Sequence, residues 1–169
     1  MKTITFKISS LVLFSILLAG CVKEGPRGPA GLDADVIYSE WFSPTSWLGS
    51  TGDWYFDASA PDLTADVVET GVVLGYVSFS TGDIYDNTVR PLPCIALGAD
   101  WDFLIPGKYG AIEYTSDASA VPSTSIQFRF IAIPGNIIAK SAPANGKRAS
   151  ELRSMSYEQV CKLYNIPLK

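Results

Sequence analysis

"SIQFRFIAI", residues 125–133, decides how the rest of the chain reads. Successive side chains of an extended backbone point to opposite faces. Ile126, Phe128, Phe130 and Ala132 therefore share one face, and Gln127 and Arg129 the other. A second run, Val72-Val73-Leu74-Gly75-Tyr76-Val77, is apolar at every position. A strand of that kind is covered on both sides and belongs in the middle of a sheet.

Working outward from these two, further short β-branched and aromatic runs fall at 36–42, 54–57, 88–96, 101–105 and 111–115, extending to 72–79 around the apolar run. Gly, Pro, Ser and Asp clusters separate them. Pro91 and Pro93 lack amide donors and push their run to a sheet edge. Seven short strands with turn signals between them predict a mainly β fold, an antiparallel sandwich of two sheets.

Two segments carry helix signals instead. Residues 62–71 open on polar residues and close on Gly71, which predicts a two-turn helix with a left-handed glycine stop. In 156–164, Ser156 and Gln159 have capping-box spacing, and Tyr157, Val160, Cys161 and Tyr164 line one helix face. This short C-terminal helix is expected to pack on the sandwich. The stretch between, 141–154, is polar and reads as a loop.

The amino-terminal end has a different composition. Lys2 and Lys7 precede an apolar run over 8–20. A bilayer-spanning helix needs about 20 apolar residues, so the run is short for a span and fits the h-region of an export signal. Three Gly-X-Y triplets follow: Gly25-Pro26-Arg27, Gly28-Pro29-Ala30 and Gly31-Leu32-Asp33. Ala34 stands where a fourth would begin. Nine residues in extended polyproline geometry reach roughly 28 Å, which suits a semi-rigid spacer. Collagen-type composition also allows a trimer-seeding stalk, and the spacer reading predicts a monomer.

Leu18-Ala19-Gly20-Cys21 resembles the lipobox of bacterial lipoproteins. That resemblance implies cleavage before Cys21, diacylglycerol on its thiol and a further acyl chain, such as palmitate, on the new amino terminus. Two or more chains hold a protein firmly on a membrane without a spanning helix. Together with the collagen-like triplets, "GVVLGYVSF", "FRFIAIPG" and "MSYEQVCKLYNIP", it makes the chain similar to a group of exported lipoproteins of Bacteroidetes-type bacteria. The resemblance runs from the lipobox almost to the last residue and brings no catalytic residues with it. Val22, in place of Asp, points to the outer membrane, on either its periplasmic or its surface face. The implied organisation is a signal peptide over 1–20, a lipidated Cys and spacer over 21–35, and a sandwich domain over 36–169.

Composition narrows the chemistry. The chain has 13 basic and 17 acidic residues and no histidine. The acidic balance argues against nucleic acid, which wants a basic patch. The absence of histidine removes Ser-His-Asp and Cys-His nucleophile systems and His-ligated zinc.

Candidate sites follow from the remaining residue types. Asp83, Asp86 and Asn87 offer oxygen ligands for calcium, or serve as turn residues. Asp100 and Asp102 form a carboxylate pair of the kind hydrolases use. Trp41, Trp47, Trp54 and Trp101, with Tyr55, stack on sugar rings if exposed and are core if buried. Cys94 and Cys161 are available for a disulfide in an exported protein, or sit as two free thiols. The expected role is a lipid-anchored, non-catalytic structural or binding module without cofactors, meeting an envelope protein. The alternatives are a carbohydrate-binding or adhesion module and a carboxylate-dependent hydrolase.

Overall fold

The computed structural model describes residues 36–80, 88–107, 109–135 and 149–169. They form two antiparallel sheets packed face to face with three short helices. The strands are β1 (Ile37–Tyr38), β2 (Leu48–Ser50), β3 (Asp53–Ser59), β4 (Val72–Ser78), β5 (Val89–Pro91), β6 (Cys94–Ala96), β7 (Ala99–Leu104), β8 (Ala111–Ser116) and β9 (Gln127–Ile133). The helices are α1 (Ala65–Thr70), α2 (Ala149–Arg153) and α3 (Tyr157–Tyr164). One sheet runs β1-β9-β4-β5 and the other β2-β3-β8-β7-β6.

The two strands that decided the reading lie side by side. β9 pairs with β4 over its whole length, from Val72 opposite Ile133 to Ser78 opposite Gln127. Phe128, Phe130 and Ala132 enter the sandwich interior together with Val77 and Phe79. Val72, Leu74, Tyr76, Ile131 and Ile133 face the other way and are equally buried, under α2 and α3. Burying each large side chain contributes about 1.5–3 kcal/mol, so both faces of this pair stabilise the fold.

The interior is strongly aromatic. Phe56 stacks on Tyr114 with ring centroids 5.3 Å apart, and Phe128 lies 4.7 Å from Tyr114. Trp47 meets Phe56 edge-on at 5.0 Å. Such ring pairs add about 0.5–1.5 kcal/mol beyond their buried area. Gly75 is set by the same packing: a Cβ there would stand 2.5 Å from the Phe103 ring.

The run at 88–96 is two strands rather than one. β5 is the edge of the four-stranded sheet and β6 the edge of the five-stranded sheet, with buried Leu92 and exposed Pro93 between them. The expectation that the two prolines force an edge holds, on both sheets. β6 turns into β7 through Leu97 and Gly98, both at positive φ, a two-residue hairpin loop.

The helices also differ from expectation in part. α1 is capped by Thr64, but Gly71 is extended at φ −101° rather than left-handed. The glycine is needed there for space, because a Cβ would lie 2.5 Å from both Ile133 O and Val67 O. At α3 the capping box forms as read, with Gln159 N donating to Ser156 Oγ and Ser156 N donating to Gln159 Oε1. Part of the stretch read as a loop over 141–154 is helical: α2 occupies Ala149–Arg153 and buries Leu152.

Candidate functional site

The outer faces of the two sheets have opposite treatments. On the four-stranded sheet, the outward side chains of β4 and most of those of β9 are buried beneath the C-terminal segment. Arg129 illustrates how complete that seal is, since it is only 2% exposed. Its Nε donates to Ser39 O at 2.8 Å, and its Nη1 donates to Tyr157 Oη at 2.6 Å and to Pro167 O at 2.8 Å. The guanidinium carbon sits 5.0 Å from the Tyr38 ring centre and 6.0 Å from that of Trp41. A planar cation with fixed donors suits this aromatic setting. Lys169 completes the cover, with Nζ donating to the buried Ser78 Oγ at 2.6 Å and lying 5.1 Å over the Trp41 ring. The alternation in β9 had placed Arg129 on a polar face; that face is an interior one.

On the five-stranded sheet the outward face stays at the surface. Pairing puts Leu48 beside Tyr55, Tyr55 beside Thr115 and Thr115 beside Asp102. The next row is Asp57, Glu113 and Leu104. Asp100 stands beside Ile95, which is 72% exposed. Asp53, Asp57, Asp100, Asp102 and Glu113 all come from these strands, and none of the five carries a Lys or Arg. Partial burial raises the Glu113 carboxyl above its ordinary pKa, and the neighbouring Asp57 and Asp53 carboxylates raise it further. The face is thus anionic and interrupted by exposed Leu48, Ile95 and Leu104.

The predicted site residues are scattered over this framework. Trp47 and Trp101 are core residues, 8% and 2% exposed, and Trp101 Nε1 donates to Ala96 O at 2.9 Å. Trp54 is half-buried at the sandwich margin, where its Nε1 donates to Ala118 O at 3.0 Å. Trp41 is half-buried on the opposite sheet, edge-on to Tyr157 at 5.6 Å. The four indoles share no groove. A sugar platform that uses them together has no surface on which to act.

Asp100 and Asp102 project from alternate positions of β7 onto the open face. Asp102 Oδ1 accepts from Phe103 N, and Asp100 N donates to Asp117 Oδ1, each at 2.7 Å. The depression they line with Pro93, Cys94 and Ile95 is open to solvent. Hydrolytic carboxylate pairs work through environments that push the two proton affinities apart. Cys94 and Cys161 are both free, one half-buried on an edge strand and the other buried on α3. Burial raises the proton affinity of each thiol above the ordinary value. Cys161 is a core residue beside Tyr157 and Val160.

Cys21, Asp83, Asp86 and Asn87 lie outside the described residues. Among the described residues, no cluster of His, Cys, Asp or Glu has metal-site geometry, and no helix is long and apolar enough to cross a membrane.

Two further grooves lie among the described residues. One, of about 500 Å³, runs between the edges of β4 and β7, is floored by Phe103 and Gly75, and has Asp102 and Arg153 among its lining residues. Another, of about 520 Å³, is lined by Ser39, Ser43, Thr45, Ser46 and Ser59 together with Asp57 and Phe42. Compared with known proteins, the chain matches no family model, no curated protein and no solved structure.

Proposed function

We propose that the chain is an exported, lipid-anchored envelope protein whose sandwich acts as a non-catalytic structural or binding module. The anchor half of this reading is carried by Leu18-Ala19-Gly20-Cys21 directly after an apolar run too short to span a bilayer. The proline-containing triplets that follow supply reach, holding the domain off the lipid surface.

The observation that carries the module half is the asymmetry of the two outer faces. The four-stranded sheet is covered by the chain's own helices. The outer face of the five-stranded sheet presents five carboxylates and the exposed side chains of Leu48, Ile95 and Leu104. A charged surface of this kind selects partners by electrostatic complementarity and by small apolar contacts, which govern encounter rate and specificity. An envelope protein with a basic surface complements these carboxylates.

The test is in-cell crosslinking of the full chain against a variant carrying Asp57→Asn, Asp100→Asn, Asp102→Asn and Glu113→Gln. The expected outcome is a salt-sensitive crosslinked product formed by the wild type and missing from the variant. Identical products from both proteins contradict the reading.

A further inference from the structure

We draw no further inference here: the strongest candidate, the outer face of the five-stranded sheet where Asp53, Asp57, Asp100, Asp102 and Glu113 stand beside exposed Leu48, Ile95 and Leu104, belongs to the surface already described, and nothing in the structure shows what covers it.

Discussion

Arg129 Nη1 donates to Tyr157 Oη across 2.6 Å, joining the middle of β9 to the first turn of α3. Both residues are 2% exposed. The same nitrogen also holds Pro167 O, so a single guanidinium ties both ends of the C-terminal segment to the sheet. The segment is therefore part of the folding unit, completing a second core on the far side of the four-stranded sheet.

Removing the Tyr157 hydroxyl tests that attachment. Hydrogen bonds to charged groups contribute about 1.5–3 kcal/mol, and Tyr157→Phe leaves a buried cation short of one acceptor. The expected result is a loss of about 2 kcal/mol in urea unfolding, read as a lower midpoint with an unchanged slope. A midpoint equal to that of the wild type shows that the bond is incidental to stability.

Close packing at Gly75 gives a second expectation. The added methyl of Gly75→Ala meets the Phe103 ring at 2.5 Å, and overpacking a filled interior costs about 1–3 kcal/mol. Shrinking the neighbour in a Gly75→Ala/Phe103→Leu double variant is expected to recover part of that loss. A single variant as stable as the wild type refutes the tight approach of β4 and β7.

The open acidic face sets a pH dependence. Partial burial, then Asp57 and Asp53, raise the folded-state pKa of Glu113 above its unfolded value. The folded state consequently binds the proton more tightly, and stability falls as pH rises from the ordinary carboxylate range through the raised value. The penalty is absent below the unfolded pKa and complete above the folded one. Glu113→Gln removes it, so the variant's advantage over the wild type is expected to grow with pH across that window. A difference in urea midpoint that stays constant from acid to neutral pH contradicts this.

Much of the architecture is legible in the chain because two local patterns are strong. Alternation over 126–130 and the two-sided apolar run at 72–77 mark two strands; the structure pairs them at the centre of the molecule and buries the second face of β9 as well. Ser156 and Gln159 mark the start of α3 by capping chemistry that acts over only three residues. Signals that depend on distant contacts are fainter. β2, Leu48-Gly49-Ser50, has no strand composition and exists because it pairs with β3. The break between β5 and β6 depends on two sheets competing for one run of chain. Gly71 signals a need for a glycine but does not reveal whether conformation or space requires it.

The site was less legible than the fold for a related reason. An indole is large, apolar and tipped with one donor, so its sequence neighbours do not say whether it faces water or the interior. Trp47 and Trp101 went inside because they complete the ring cluster with Phe56 and Phe128. Arg129 has the look of a solvent-facing strand residue until α3 is folded over it. The acidic face, by contrast, is spread thinly over β3, β7 and β8, and only strand pairing gathers it.

The central claim is that fatty chains on Cys21 hold this sandwich at the envelope. Mass analysis of the amino-terminal peptide, taken from full-length protein expressed in a bacterium and extracted from washed membranes in detergent, tests it most directly. The account predicts a peptide that begins at Cys21 and carries diacylglycerol with or without an additional acyl chain. An amino terminus that still begins at Met1, or a Cys21 bearing no lipid, contradicts it.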